Sequence, residues 1–189
     1  MDSLKQRILQ EGIVVSDQLL RVDSFLNHQV DPPLLLEMGR EFAARFRDAG
    51  ITKVITVESS GISIGFAMAL DLNVPMVFVR KKKTVIMDQD AYVARVPSFT
   101  KGIVTDLAIA KKYLSAEDTV VLVDDFIANG DAALAIIKIV EESGAKLAGV
   151  GIAIEKLFQA GGNAIREQGI RVESLVQIRS MSAGKIEFA

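Results

Sequence analysis

The chain has 189 residues, of which 50% are hydrophobic and 24% charged, with a net charge of −2. That suffices for one domain with a sizeable core and argues against a generally basic nucleic-acid binder. With no cysteine and a single histidine, His28, the composition excludes disulfides, thiolate zinc sites, thiol catalysis and multi-histidine metal sites, and disfavours a Ser-His-Asp hydrolase.

The first residues, MDSLKQRILQEG, are charged throughout and lack the apolar core of a signal peptide. Residues 3–12 have helical spacing, and so do residues 32–50, which begin with two prolines after Asp31 and stop at Gly50. TKVITVE, residues 52–58, reads as a strand, followed by a turn that runs into a helix at SSGISIGFAMALDL. The uncharged part of that stretch, Ser59 to Leu70, is the longest such run and falls far short of the ~20 apolar residues of a membrane span. A cytoplasmic protein without membrane contact is therefore expected. VPMVFVRKK, from Val74, reads as the next strand. Residues 82–102 are polar and mixed, with short alternating runs such as AYVARV, and GIVTDLAIAKKYL fits either a strand or a short helix. TVVLVDD is a strand, DAALAIIKIVEESG a helix closed by Gly144, KLAGVGIAIEK a strand, AGGNAIREQG a helix and RVESLVQI a strand.

Strands thus alternate with helices, and several are apolar on both faces. This is the pattern of a parallel sheet covered on two sides, an α/β fold. Ligands in such folds bind at the carboxyl ends of the strands. Those ends carry ESSGIS, RKKK, DDFIANGDA and EKLFQ. Asp124 and Asp125 are expected to diverge to opposite faces while staying near the strand end. Adjacent carboxylates there suit the vicinal hydroxyls of a ribose. Ala128, Asn129, Gly130, Asp131 and Ala132 form a narrow turn at a helix N-terminus, whose free N–H groups favour a phosphate. Ribose with a 5′-phosphate is the simplest ligand for this pattern.

VVLVDDFIANGDA resembles the signature of the type I phosphoribosyltransferases. VSDQLLRVDSFLNHQVDP, TVESSGI, VPMVFVRKKK, SFTKG and GIAIEKLFQ extend the likeness in order over nearly the whole chain, towards the bacterial purine members that use xanthine. The resemblance implies a mostly parallel sheet flanked by helices, in one domain. Its core would span residues 37–155, and a small hood would come from residues 1–36 and 156–189. It implies transfer of a phosphoribosyl group from phosphoribosyl diphosphate (PRPP) to xanthine, a Mg²⁺ ion carried mainly by substrate oxygens, and a homodimer.

Residue by residue, it implies that Ala128–Ala132 bind the 5′-phosphate and that Asp124 and Asp125 hold the ribose. Lys156 would meet an exocyclic oxygen of the purine, and Leu20 and Asn27 would help enclose the base, with Phe158 or Phe126 as a wall. Ser59, Ser60, Gly61, Arg80 and Lys81 are candidate pyrophosphate contacts. Residues 82–102 are a candidate lid, with Ser98 to Lys101 as its tip. His28 is assigned no role.

Two positions depart from the wider family. Ala132 stands where many members carry Thr in the phosphate loop, and Ala128 where many 6-oxopurine members carry Asp. No general base transfers. Xanthine, more acidic than hypoxanthine or guanine, is expected to enter as an anion favoured by Lys156. Two alternatives stand beside this reading: another purine specificity, or a PRPP-binding transcriptional regulator. The first is weakened because Lys156 suits an oxygen acceptor and not the amino group of adenine. The second is weakened because about 50 residues precede the first core strand, and these already contain the expected hood.

Overall fold

The computed structural model describes residues 1–81, 90–98, 103–182 and 184–189. Lys82, Lys83, Phe99, Thr100 and Lys101, and with them much of the expected lid, lie outside the described residues.

Helix α1 (Asp2–Glu11) buries Leu4 and Ile8, one turn apart on one face. Two short strands, β1 (Ile13–Val14) and β2 (Leu20–Arg21), pair antiparallel, and a π-helical turn follows at Asp23–Asn27. Helix α2 (Pro32–Arg45) starts where the Asp31 carboxylate accepts a hydrogen bond from Leu34 N–H at 3.1 Å, with prolines in its first turn. Then come β3 (Lys53–Val57), α3 (Gly61–Leu72), β4 (Met76–Val79), β5 (Ala91–Ser98), β6 (Ile103–Ala110) and β7 (Thr119–Ile127). They are followed by α4 (Asp131–Ser143), β8 (Lys146–Lys156), α5 (Gly161–Arg166), β9 (Val172–Ser182) and β10 (Lys185–Phe188).

The central sheet has the order β10-β9-β8-β7-β3-β4. All pairs are parallel except β10 with β9. One apolar cluster, including Leu4, Phe25, Met38, Phe42, Ile64 and Val176, fills the face under α1, α2 and α3. A second, including Ile55, Leu122, Ile136, Val140 and Ile165, fills the face under α4. Two covered faces explain why β3 is buried at every position from Val54 to Val57 and β7 from Val120 to Val123.

Residues 91–98 and 103–110 are more regular than their mixed sequence suggests. β5 and β6 form a long antiparallel hairpin, paired from Ala91↔Ala110 to Ser98↔Ile103. Leu107, Ala108 and Ile109 are buried. Two backbone bonds between Arg80 and Ala108, at 3.1 and 2.9 Å, fix the hairpin to the end of β4. The described part of the ambiguous GIVTDLAIAKKYL is therefore strand from Ile103 to Ala110, with a 3₁₀ turn at Lys111–Tyr113.

The chain leaves β3 for β4 on one side and reaches β7, β8 and β9 on the other. The order reverses between β3 and β7, which is where an open parallel sheet presents its crevice. Here the crevice is also physical. β3 pairs with β4 through Val57 but with β7 only as far as Ile55↔Leu122. Beyond Leu122, β7 keeps β8 as its neighbour and faces an opening on the β3 side.

Candidate active site

Asp124 and Asp125 stand in that opening, within β7 and not beyond it, because the strand continues to Ile127. They do not diverge as strand alternation predicts. Both line one cavity of about 450 Å³, together with Glu58, Ser59, Ser60, Lys81 and Ala132. The Asp125 N–H donates to Asp124 Oδ1 at 2.9 Å. Burial, and then the neighbouring Asp125 carboxylate, push the Asp124 carboxyl well above the usual carboxylate range. Asp125 Oδ2 in turn accepts a hydrogen bond from Asn27 Nδ2 at 3.0 Å. The N-terminal segment thus touches the acid pair directly.

A second cavity of about 320 Å³ shares Asp124 and Ala132 with the first and adds Phe126, Ala128, Asn129, Gly130 and Asp131. The loop is held in a left-handed bend at Gly130 (φ 87°), which caps α4 and accepts from Leu134 N–H at 2.8 Å. Its first-turn amides are those left without an intrahelical partner.

On the opposite wall, Gly61 opens α3 at a point of close approach. A Cβ there would overlap Thr56 Oγ1 and lie 2.7 Å from Asp124 Oδ1. Of the two cations expected at the β4 end, Lys81 lines the cavity. Arg80 is turned to Glu58, with Nε 3.2 Å from Oε2. The other Glu58 oxygen accepts from Lys81 N–H at 2.6 Å, so the ends of β3 and β4 are tied together on one side of the crevice.

Lys156 ends β8 and is 7% exposed. Its Nζ donates to Gln18 O at 2.8 Å and lies 5.6 Å from the Phe126 ring centroid. Burial holds its pKa below the usual lysine value. Phe126 is therefore the aromatic next to Lys156, whereas Phe158 is 37% exposed. Leu20 is buried and packs in the cluster under α1 and α2. His28 is exposed.

One group was missed by sequence reasoning. Glu155, 2% exposed, accepts two bonds from Arg166 at 2.6 and 2.8 Å, one from Ser174 Oγ at 2.5 Å and one from Gln177 Nε2 at 2.9 Å. Burial raises its pKa, but these donors more than offset it and hold the carboxyl below its ordinary range. A signal was present: a glutamate inside an otherwise apolar strand must find partners.

Residues 29–163 match the family described as the phosphoribosyl transferase domain. The chain belongs to that family. Over its whole length it is 55% identical to a protein of Moorella thermoacetica named xanthine phosphoribosyltransferase, covering 96% of that protein. It is 49% identical to one of the same name from Acinetobacter baylyi, covering 98%. Among solved structures it resembles the adenine phosphoribosyltransferase of Rhodothermus marinus, with a TM-score of 0.74, 24% identity, and coverage of 94% of this chain and 99% of that one. At that identity the likeness concerns the fold. It agrees with the mostly parallel, helix-flanked sheet expected from the sequence.

Proposed function

We propose that the protein is a purine-salvage enzyme. It transfers the 5-phosphoribosyl group from PRPP to N9 of xanthine and releases xanthosine 5′-monophosphate and pyrophosphate. The observation that carries this is the shared cavity wall: the acid pair Asp124–Asp125 and the loop Ala128–Ala132 meet at the point where the strand order reverses. The specificity for xanthine is supported by the names of relatives about half identical over the full chain.

In this reading the amides of Ala128–Ala132 and the N-terminus of α4 bind the 5′-phosphate. Asp124 and Asp125 accept from the ribose 2′- and 3′-hydroxyls. Lys81 and the backbone of Ser59, Ser60 and Gly61 face the diphosphate, with Arg80 held in reserve by Glu58. The bond from C1′ to the diphosphate oxygen breaks and its electron pair leaves with the diphosphate. The N9 lone pair then forms the bond to C1′. The carboxylate pair stabilises positive charge developing on the ribose ring. Lys156, released from Gln18 O, meets an exocyclic oxygen and favours the xanthine anion, so no protein base is required. Leu20, Asn27 and Phe126 enclose the base. The hood of residues 1–36 and 156–189 closes over the core of residues 37–155 and excludes water.

Among the described residues, no three His, Asp or Glu side chains converge as a metal cage. The oxygen-lined cavity fits a Mg²⁺ ion carried by PRPP and water, with no protein ligand assigned. When bound, that ion offsets charge on the diphosphate. No described helix is long and apolar enough to cross a membrane. Incubation with PRPP, Mg²⁺ and each common purine base tests the proposal. Nucleotide should form fastest with xanthine; faster turnover of adenine or guanine, or PRPP binding without turnover, overturns it.

A further inference from the structure

The phosphate loop does not stand alone. Gly161, the first residue of α5, donates its N–H to Ala128 O at 2.9 Å. The two backbones touch so closely that a Cβ on Gly161 would lie 2.5 Å from Ala128 O, 2.6 Å from Gly130 N and 2.7 Å from Ile127 Cγ1. The next residue meets the other side of the helix start. A Cβ on Gly162 would overlap Glu155 Oε1 and lie 2.9 Å from Arg166 Nη1. Two adjacent glycines therefore let α5 fit between the phosphate loop and the buried Glu155 carboxylate.

At the far end of this six-residue helix, Arg166 grips that carboxylate with both guanidinium nitrogens. Ser174 and Gln177 of β9 hold the same carboxylate from the next strand. So short a helix has little stability of its own, and its place is set by this clamp.

We infer that the Glu155–Arg166 ion pair, acting through Gly161 and Gly162, positions the phosphate loop Ala128–Ala132 for PRPP. This rests on the phosphate-loop reading above. Glu155, Arg166, Gly161 and Gly162 are positioning residues and touch no substrate. The device is specific to one substrate. The clamp adjoins the loop but lies on the opposite side of β8 from Lys156, whose Nζ reaches Gln18 and Phe126 instead.

The test is steady-state kinetics with each substrate varied, on the full chain, with a thermal melt of every sample. Arg166→Gln removes the fork and leaves Glu155 buried without its cation. Gly161→Ala keeps every charge and wedges one methyl against the loop, so it serves if Arg166→Gln does not fold. In either variant the KM for PRPP should rise on the order of ten- to hundredfold, as expected when a contact is displaced by about 1 Å. The KM for xanthine should stay within about twofold of wild type, since Lys156 is untouched. Arg166→Lys, which restores charge but not the fork, should fall between. Ala132→Glu is the reference: it puts an anion in the phosphate cradle, while an acid in a first helical turn is tolerated.

If Ala132→Glu weakens PRPP while Gly161→Ala and Arg166→Gln melt early but keep wild-type KM values, the clamp is purely structural and the inference fails. If the KM values for PRPP and xanthine rise together in the clamp variants, the effect is general collapse and the inference fails as well. If Ala132→Glu leaves PRPP unaffected, the phosphate-loop reading itself falls, and the inference with it.

Discussion

Lys156 and Asp124 illustrate, at the level of single residues, how a buried charge is kept for use. Lys156 has lost most of its water and retains the carbonyl of Gln18 as acceptor. A purine oxygen would replace that carbonyl without leaving the ammonium unpaired, whereas an amino group would not. Lys156→Met keeps the length of the side chain and discards the charge. We expect kcat/KM for xanthine to fall about ten- to hundredfold, the worth of a charge-assisted bond, with the KM for PRPP near wild type. An unchanged profile across the purines would remove Lys156 from base recognition. Asp124 works the other way. Burial and Asp125 raise its pKa, so the folded chain binds that proton more tightly than the unfolded one. Ionising it therefore costs stability, increasingly as pH rises past the unfolded value of about 4 and fully above the raised folded value. Asp124→Asn should melt higher than wild type at neutral pH, with the gap closing in acid, while kcat/KM for PRPP falls about tenfold or more. A melt no higher than wild type at pH 7 would refute the strained pair, and wild-type kinetics would refute the ribose contact. The acids, the loop glycine and Lys156 were legible as residue types at strand ends. The Asn27–Asp125 bond was not, because it joins residues 98 apart through an exposed side chain with no pattern around it.

At the level of elements, the strands of the parallel sheet were legible because burial on both faces leaves apolar runs, as in Val120 to Val123 of β7. The β5–β6 hairpin was not. It is outside the central sheet, only AYVARV alternates, and what fixes it as strand is a non-local event: the Arg80–Ala108 pairing and the burial of Leu107 and Ile109. Likewise β10, four residues of KIEF, is strand because β9 offers it an edge. Asp124 and Asp125 share a cavity because β3 stops pairing at Ile55, a fact about register that no single segment contains. The helix α5 depends on Glu155 in a way that a titration can expose. That carboxyl is held below its ordinary range, so the stability it supplies is complete above about pH 4.3 and is lost as pH falls through the depressed folded value. Glu155→Gln leaves the Arg166 guanidinium, a third exposed, to solvent and removes its charge-assisted bonds, which should cost about 1.5–3 kcal/mol at neutral pH. Its melting temperature should also vary less than that of wild type between pH 5 and lower pH. Denaturant titrations of both proteins at several pH values check this, and parallel curves would show that Glu155 carries no linked proton.

At the scale of the whole molecule, the surface bears on how many copies act together. Phe66 and Leu70, each 59% exposed, lie one turn apart on α3, and Val30 and Leu36 are 43% and 36% exposed nearby in sequence or fold. Phe66, Val30 and Leu36 line an apolar cavity of about 620 Å³ with Leu26 and Leu35. Apolar surface gathered in this way marks an interaction site more often than chance exposure does, and a second copy of the chain is the occupant tested below. Ser59 and Ser60 line this cavity and the one holding Asp124 and Asp125, so a partner seated on α3 would press on the proposed pyrophosphate loop. Phe66→Asp places a charge where the contact would be driest, at little cost to a side chain already exposed. It should halve the mass measured by light scattering, leave the circular dichroism of the fold intact and raise the KM for PRPP severalfold while sparing the KM for xanthine. A wild type that sediments as a monomer, or a Phe66→Asp protein that remains a fully active dimer, would detach this face from both assembly and catalysis.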